Sequence, residues 1–436
     1  MKKKKVLILA YDFPPYISVG GMRPYGWFKY LPKELYDVTV VTRQWSSQVN
    51  SVVDCILPTS TQFVEEEYTN DGRILRAPFE PNLRDKLLIK YGFDKFGLLR
   101  KGMSFFIDLL KHSFRFFDSS RTIYKAANSL CEKESFDVII ATGEPFILFK
   151  HARQLSKKHN IKWVADYRDG WTTNQRKEQL GLLQKILLVT FISAEKRYIN
   201  SSSLITTASP SYKDSLLSLF PNKGIEVVLN GFIKNENKVV PVQPEKVKIF
   251  EISYLGTLYE HQKIESFIEK VKLFISDNKL MTSDFKVKFI GMNFYEEQKE
   301  RVLKCAKGIE HYLLFTDKIA YEKLVSEVEM SSLLLLLSKE NLNWLNAKVF
   351  DYMLFNKRVL FYENDKSILE ELLLDVANQT YYCSDDNAIY KALNDSYQEF
   401  LLKGSLINQN NENVNKYSRE HQTLILSDCL SGLFTD

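Results

Sequence analysis

Residues 11–24 read YDFPPYISVGGMRP, and this short stretch with two adjacent glycines decides the fold. Directly before it, the apolar run KVLILA predicts a buried strand over residues 6–10, and directly after it YGWFKYLPKEL has the pattern of a helix. A strand, a glycine loop and a helix in this order are typical of the first unit of a parallel α/β sheet. We therefore expect a doubly wound sheet that starts at the N-terminus.

Short apolar runs alternate with helical patterns along the rest of the chain, and the runs lack strict polar alternation, as expected for strands covered on both faces. Strands are predicted over residues 38–42, 137–141, 162–165, 203–206, 226–229, 249–255, 285–290, 312–316, 332–337 and 358–362, and helices over residues 121–133 and 145–159. This order predicts an α/β protein with two Rossmann-like β/α/β domains. Because ligands bind outside the carboxyl ends of such strands, we expect the domains to face each other across a cleft.

The length of 436 residues exceeds the size at which one hydrophobic core stops growing. Residues 233–248, IKNENKVVPVQPEKVK, have no apolar period and predict a linker. We therefore divide the chain into an N-terminal domain of residues 1–232, this linker, and a C-terminal domain of residues 249–415. Residues 416–436 have the pattern of a helix that could pack on either domain, and a return to the N-terminal domain is our hypothesis.

Composition excludes several classes of protein. The net charge of +5 is mild for this length, so nothing indicates a nucleic-acid partner. The five cysteines are scattered without a CxxC pair, which predicts neither a disulfide framework nor a zinc site and favours a reducing compartment. No stretch approaches 18 uninterrupted apolar residues, so we predict a cytoplasmic protein without a transmembrane helix.

Further motifs follow the opening stretch in a fixed order. They are TGEPFILFKHARQL and WVADYRDGW, then ITTASPSYKDSL and EVVLNGF, and finally YLGTLY, FIGMN and AKVFDYMLFNKRVLFY. Together these stretches resemble the sequence blocks of sugar-nucleotide glycosyltransferases of the GT-B fold, family 4 in particular, over nearly the full chain. The dinucleotide fingerprint GxGxxG and a P-loop lysine motif are both missing, which removes the usual support for a nicotinamide or ATP site.

The resemblance implies an enzyme, a hexosyl- or related transferase that builds bacterial surface polysaccharide. It implies a nucleotide-diphosphate sugar as donor, held mainly by the C-terminal domain, and a glycan or polyprenyl-linked acceptor on the N-terminal domain. Transfer with retention, without a cofactor and without a metal ion is implied in the same way. Such a reaction depends on stabilising the negative charge of the departing diphosphate.

Three residues of the opening stretch are candidates for donor binding: Gly20, Gly21 and Arg23. Glycine lets backbone N–H groups approach a phosphate closely, and the start of a helix adds the positive end of a dipole. The two glycines also match the family's loop that faces the diphosphate. The alternative is that the glycines only permit a turn, and that Arg23 only fixes the start of the helix.

The C-terminal domain supplies five further candidates for donor binding: Gly256, Thr257, Lys263, Lys348 and Asp351. Lys348 matches the family's lysine, and a lysine after a buried strand can place a charge on a phosphate; the alternative is an ordinary surface lysine. Asp351 matches a glutamate that binds the ribose hydroxyls. Thr257 stands where the family has an arginine, which weakens the assignment of Lys263 as the second basic residue.

Four polar residues that follow predicted strands are catalytic candidates. Asp166, Arg168 and Asp169 form the sequence DYRD after WVA, and Glu144 follows DVIIATG. At the carboxyl ends of strands their side chains would face the expected cleft and contact the acceptor or the transferred sugar. The equally weighted alternative is a buried ion-pair network that holds the loop in place.

Residues 83–117 combine eight basic and three acidic residues with many Leu, Phe and Ile at helical spacing. This pattern is typical of a helix lying on an anionic membrane. Our hypothesis is a peripheral contact of residues 85–117 with the inner membrane face, through Lys90, Lys95, Arg100 and Lys101. The alternative is a core helix whose basic face is solvated.

Two other functions remain open from the sequence. A sugar-nucleotide epimerase or hydrolase of the same architecture would release product without an acceptor. A non-catalytic protein that binds glycan or acts as a scaffold is favoured by two departures from the family pattern: Thr257, and Asn343 in place of a glutamate eight residues before Asp351.

Overall fold

The computed structural model describes residues 2–16, 18–46, 49, 51, 53–113, 118–173, 181–233, 249–294, 296–317, 319, 321–338, 345–355, 357–364, 366, 368–376, 378–406 and 412–434. The chain divides into two compact units, the first of Met1–Ile233 with Arg419–Asp436 and the second of Lys234–Ser418. Apart from Ile233, the predicted linker lies outside the described residues. None of the helices in the described ranges is long and apolar enough to span a bilayer.

The first unit is built on an eight-stranded sheet in the order β3-β4-β2-β1-β5-β6-β7-β8. Its strands are β1 Lys4–Leu9, β2 Tyr36–Arg43, β3 Glu65–Thr69, β4 Gly72–Ala77, β5 Val138–Gly143, β6 Lys162–Tyr167, β7 Leu204–Thr207 and β8 Ile225–Val227. Its helices before the linker are α1 Val19–Tyr30, α2 Leu83–Tyr91, α3 Gly97–Leu110, α4 Arg121–Lys133, α5 Ile147–His159, α6 Leu182–Ile199 and α7 Pro210–Leu219, with a short 3-10 helix at Asp54–Ile56. The pairings β1 with β2 and β1 with β5 are parallel, and β3 joins β4 antiparallel at the edge.

The central strand β1 shows why its run of apolar residues has no polar alternation. Leu7 and Leu9 pack into the core on the side of α4 and α5, whereas Val6 and Ile8 pack into a second core with α1. All four side chains are fully buried. The sequence pattern thus reports a strand with helices on both faces.

The second unit is built on a six-stranded parallel sheet in the order β11-β10-β9-β12-β13-β14. Its strands are β9 Phe250–Leu255, β10 Phe285–Ile290, β11 Leu313–Phe315, β12 Leu333–Leu337, β13 Arg358–Tyr362 and β14 Thr380–Cys383. Its helices are α8 Ile264–Asn278, α9 Glu296–Cys305, α10 Tyr321–Glu329, α11 Lys348–Leu354, α12 Ile368–Asp375 and α13 Asp386–Lys403, with 3-10 helices at Met292–Phe294, Glu310–Tyr312 and Glu412–Tyr417. The five leucines of β12 are all buried, because this strand lies inside the sheet between β9 and β13.

The C-terminal helix, α14 Arg419–Gly432, belongs to the first unit. Leu426 and Leu430 are fully buried in the core that β1 shares with α1. The Tyr36 hydroxyl donates to the backbone oxygen of Ser427 at 3.0 Å, and the Gln422 side chain accepts a hydrogen bond from Leu229 N at 2.8 Å. The end of the chain thus forms part of the first unit's core.

The sequence prediction missed three strands: β3 and β14, which lie at the edges of their sheets, and β4, which lies between β3 and β2. The residues of β3, EEEYT, are all exposed, so the strand has no apolar face and its residues carry no hydrophobic period. The other strands that lie inside the sheets were predicted, since burial on both faces requires continuous apolar runs. In β4 the buried Ile74 and Leu75 are flanked by two arginines, so the apolar run is too short to mark a strand. The predicted fold class, two parallel-sheet α/β domains, is confirmed.

Candidate functional site

The order of the strands marks one position in each sheet where neighbouring loops diverge. In the first unit the chain leads from β1 to β2 and β4 on one side, and later places β5 on the other side of β1. In the second unit it leads from β9 to β10 and β11, and then places β12 on the other side of β9. Ligands bind outside the carboxyl ends of the strands at such a switch point.

The junction between β1 and α1 is tightly packed. The Ser18 hydroxyl accepts a hydrogen bond from Gly21 N at 2.9 Å and donates to Asp12 Oδ2 at 3.0 Å, so it caps the helix and fixes Asp12 beside its start. A Cβ atom on Gly20 would lie 1.6 Å from Arg168 Nη1, and one on Gly21 would lie 3.1 Å from the backbone of Asp12. Close approach of neighbouring groups therefore favours glycine at both positions.

Arg23 and Asp166 form a fully buried ion pair beneath this junction. The guanidinium donates to both carboxylate oxygens, from Nη2 at 2.7 Å and from Nε at 3.0 and 3.2 Å, and its Nη1 donates to the Val228 oxygen at 2.5 Å. The hydroxyls of Thr142 and Thr206 donate to the same carboxylate at 3.0 and 2.7 Å. This network ties α1 to β5, β6 and β7, which favours the ion-pair alternative for Asp166 and, for Arg23, the alternative that it fixes the start of the helix.

The Arg168 side chain gathers three carboxylates at the carboxyl edge of the first sheet. Its Nε donates to Asp169 Oδ2 at 2.9 Å, and its Nη2 lies 3.6 Å from Glu144 Oε2. Burial lowers the pKa of this guanidinium, but Asp169, Asp12 and Glu144 together outweigh that effect and raise it. Arg168 therefore stays positively charged and orients the acidic side chains around it.

Glu144 is the most accessible of the predicted catalytic residues. Its side chain is 61% exposed, yet desolvation by the surrounding protein raises the pKa of the carboxyl group. The nearby Arg168 acts in the opposite direction. A carboxyl group with a raised pKa can exchange a proton closer to neutral pH. Glu144 and the half-buried Asp169 are therefore placed to bind hydroxyl groups, whereas Asp166 is enclosed by protein.

A cavity of about 430 Å³ opens beside Glu144 and was not predicted from the sequence. Phe146 follows β5 and Trp171 follows β6, and their rings are stacked with centroids 5.0 Å apart. The end of α3 contributes Lys111, and α6 contributes Phe191. The cavity thus combines aromatic walls with a charged rim, but its residues come from four separate segments, so only the fold reveals it.

His112 forms part of the same cavity as a neutral side chain. Burial lowers the pKa of its imidazole to about 3, with Lys111 acting in the same direction. Its Nδ1 lies 3.3 Å from the Tyr198 hydroxyl, and its Nε2 is buried without a hydrogen-bond partner in the described part of the chain. A neutral, desolvated imidazole binds polar groups by hydrogen bonding rather than by charge.

In the second unit, Lys348 lies across the switch point between β9 and β12. Its ammonium group donates to the Tyr254 hydroxyl at 2.7 Å and to the Thr257 oxygen at 2.6 Å. Gly256, between these two residues, has a φ of +71° and would place a Cβ atom 3.6 Å from Lys348 Cε. Gln262, which sequence reasoning did not identify, accepts from Tyr259 N and donates to the Leu337 oxygen, so it joins the ends of the two strands.

The environment of Lys348 supplies acceptors but no counter-charge. Its two acceptors are a phenol and a peptide oxygen, and its ammonium group lies 4.0 Å from the centroid of the Tyr254 ring. Within the described ranges no carboxylate forms an ion pair with it, and burial lowers its pKa well below the usual value. A bound anion would supply the missing charge.

The other predicted donor-binding residues of the second unit lie near the same edge. Lys263 immediately precedes α8 and forms a 2.6 Å ion pair with Glu363, which follows β13. Asp351 is half-buried in the first turn of α11, one turn after Lys348. Asn343 lies outside the described residues. Roles for these residues in donor binding stay predictions.

The residues predicted to contact a membrane lie on α2, on α3 and on the loop between them. Lys90, Lys95 and Lys101 are exposed, whereas Arg100 donates a hydrogen bond to the backbone oxygen of Phe93. Helix α3 has no buried residue, although most of its side chains are apolar. Residues 114–117 of the predicted segment lie outside the described ranges.

Comparison with known proteins identifies the fold. No protein-family model matches the chain, and no curated protein matches it by sequence. Among solved structures, a sucrose-phosphate synthase from Thermosynechococcus elongatus aligns with a TM-score of 0.66 at 12% identity, over 99% of each chain. HepE from Anabaena, in complex with UDP and glucose, aligns with a TM-score of 0.56 at 12% identity, over 98% of this chain and 100% of that one.

The catalytic domain of starch synthase IV from Arabidopsis thaliana, bound to ADP and acarbose, is similar as well, with a TM-score of 0.57 at 12% identity over 100% of this chain and 99% of that one. At such low identity the likeness establishes the fold alone. The chain is therefore an α/β protein with the GT-B fold, and the prediction of that fold is confirmed. Membership of family 4 stays a prediction.

Proposed function

We propose that this protein is a glycosyltransferase that moves a sugar from a nucleotide-diphosphate sugar to an acceptor. The observation that carries the proposal is Lys348, a half-buried lysine at the switch point of the second sheet whose ammonium group has only uncharged acceptors in the described part of the chain. When the bond from the sugar to the diphosphate breaks, the diphosphate keeps the bonding electrons, and a fixed cation beside it lowers the barrier.

The solved structures of similar fold support this choice of donor. The HepE structure is a complex with UDP and glucose, and the starch synthase IV domain is bound to ADP and acarbose. On the present chain, we assign the diphosphate to Lys348 and to the backbone around Gly256, and the ribose hydroxyls to Asp351. Transfer of a hexosyl or related group with retention and without a metal ion forms part of the same proposal.

We assign the acceptor to the first unit. Glu144 and Asp169 can accept hydrogen bonds from sugar hydroxyls, and the stacked pair Phe146 and Trp171 offers apolar surface to a sugar ring. The acceptor we propose is a growing, lipid-linked glycan of a bacterial surface polysaccharide. The exposed Lys90, Lys95 and Lys101, with Arg100, would bring the protein to the membrane that holds it.

Nucleotide binding tests the proposal directly. We expect one of UDP, ADP, GDP or TDP to raise the unfolding temperature of the second unit, since a ligand at 100 times its dissociation constant stabilises by about 2.7 kcal/mol. Lys348→Met should weaken that nucleotide by roughly tenfold to a hundredfold, because a hydrogen bond to a charged group contributes about 1.5–3 kcal/mol. Thermal shift at several nucleotide concentrations measures both effects.

Lys357→Met is the control, because Lys357 is a buried lysine that, like Lys348, donates to a backbone oxygen, that of Glu329, but it lies before β13 at the opposite edge of the sheet. The control should keep the nucleotide affinity of the wild type. If none of the four nucleotides binds, the chain is not a nucleotide-sugar transferase. Release of free sugar from a bound donor without acceptor would instead identify a hydrolase.

A further inference from the structure

Helix α6 differs between its two halves. In its first half, Leu182, Ile186 and Val189 lie one turn apart on an exposed stripe, although all three are apolar. In its second half the exposed positions are polar, Ser193, Lys196 and Arg197. The second half therefore has the normal pattern of a surface helix, whereas the first half exposes an apolar face to water.

Helix α3 packs beside α6 and has the same property. Its sequence, GLLRKGMSFFIDLL, is mostly apolar, yet it contains no buried residue. Leu98, Leu99 and Phe106 are exposed, and the Lys111 ammonium group at its end lies 5.6 Å from the centroid of the Phe191 ring of α6. Two neighbouring helices of one unit thus both expose large apolar side chains.

The charges around these side chains indicate what covers them. Exposed lysines accompany both helices, with Lys90 and Lys95 just before α3, Lys101 within it and Lys185 within α6. A second copy of the same basic surface would be repelled, whereas an anionic lipid leaflet offers both negative charge and an apolar interior.

We propose that the first half of α6 and α3 together form one membrane-binding surface, with Leu182, Leu183 and Ile186 entering an anionic lipid leaflet. The inference extends the membrane contact proposed above, which rested on residues 85–117 alone. It does not require glycosyl transfer, so its test uses lipid binding, and nucleotide binding remains a separate measurement.

The test is flotation of the full-length protein with vesicles of phosphatidylcholine, with and without phosphatidylglycerol. We expect the wild type to float with the anionic vesicles and less so at high salt. The triple substitution Leu182→Gln, Leu183→Gln and Ile186→Gln should weaken binding at least tenfold, because burial of a single leucine contributes about that factor. The nucleotide shift and the unfolding temperature should stay those of the wild type.

The second unit offers a matched control. Leu401 and Leu402, near the end of α13, are 58% and 87% exposed, close to the 59% of Leu183 and the 77% of Leu182. Replacing this pair with Gln removes similar exposed apolar surface and should leave vesicle binding unchanged. Absence of binding by the wild type, or equal loss in both variants, would refute the proposal. A triple variant that floats normally but no longer self-associates in sedimentation would assign the surface to a second copy of the chain.

Discussion

The carboxyl edges of the two sheets each contain a basic side chain withdrawn from solvent, fully for Arg23 and in part for Lys348, and the two differ in what neutralises the charge. Arg23 in the first unit is paired with Asp166, and Thr142 and Thr206 complete the hydrogen bonds of that carboxylate. Lys348 in the second unit donates to Tyr254 and to a peptide oxygen, and no described carboxylate pairs with it. Both edges follow the same strand order around their first strand.

This difference separates a charge that stabilises the fold from a charge that is available to a ligand. A buried pair with all its hydrogen bonds made gains nothing from a further anion, and removal of either partner leaves the other unpaired. A buried cation without an anion lowers stability, and a bound phosphate would reverse that effect. We therefore expect substitution of Arg23 to change mainly the stability of the fold, and substitution of Lys348 to change mainly the binding of the nucleotide.

The largest expected effect is the loss of the pair in the first unit. Arg23→Met leaves the Asp166 carboxylate buried without a counter-charge and should lower the free energy of unfolding of that unit by about 3–5 kcal/mol. Lys348→Met removes a desolvated charge that pairs with no described carboxylate, and should leave the stability of the second unit unchanged or raised. Urea unfolding, followed for each unit by tryptophan fluorescence and by limited proteolysis, measures both.

A double variant provides the control for this comparison. Arg23→Met combined with Asp166→Leu removes both charges, so it should recover part of the stability that Arg23→Met loses. A loss below about 1 kcal/mol in Arg23→Met would show that the pair does not hold α1 in place, and would contradict the structural assignment.

The second prediction concerns pH. The pKa of Lys348 is lowered by burial in the folded chain, so the unfolded chain binds more protons between this lowered pKa and the usual value of 10.5. Stability of the second unit should therefore rise with pH in that window, by up to about 1.4 kcal/mol per pH unit. Lys348→Met should remove this part of the slope, as unfolding titrations between pH 7 and pH 9 would reveal.

Ligand binding sharpens the same measurement. A diphosphate favours the charged form of Lys348, so binding of the nucleotide should be accompanied by uptake of a proton. Calorimetry in buffers of different ionisation enthalpy detects this uptake. An unchanged pH slope in Lys348→Met would contradict the assignment of a desolvated ammonium group without a carboxylate partner in the described chain.

How much the sequence could predict depends on whether the signal is local. The leucine run of β12 and the glycines after β1 carry their own signals, so the sheets and the first switch point could be predicted. The edge strand EEEYT could not, since an exposed strand needs no apolar residue. The pairing of Arg23 with Asp166 joins residues 143 positions apart, and no local pattern encodes it.

The residues around Glu144 show the same limit. The acidic side chain was a candidate because it follows a strand, but its cavity depends on Phe146, Trp171 and the ends of α3 and α6. The exposed apolar stripe of α6 was missed for a related reason. Its sequence is ordinary for a core helix, and only the packing reveals which side chains face water.

The smallest expected effects compare one glycine from each edge. Gly256 has a φ of +71°, so Gly256→Ala should lower the stability of the second unit by about 1–2 kcal/mol and move Lys348 little, since the new methyl group would meet Lys348 Cε at an ordinary 3.6 Å. Gly20→Ala should change stability by less than about 1 kcal/mol, because the obstructing Arg168 Nη1 is the mobile end of a side chain. Displacing this group separates Arg168 from Glu144, so the rate of glycosyl transfer should fall while nucleotide affinity stays constant.

Gly102→Ala in α3 is the control, because nothing lies within 4 Å of the added carbon. It should stabilise the first unit by up to about 1 kcal/mol without an effect on glycosyl transfer. If Gly20→Ala behaves like this control in both measurements, Arg168 and Glu144 do not act together, and the first unit's edge contributes packing only.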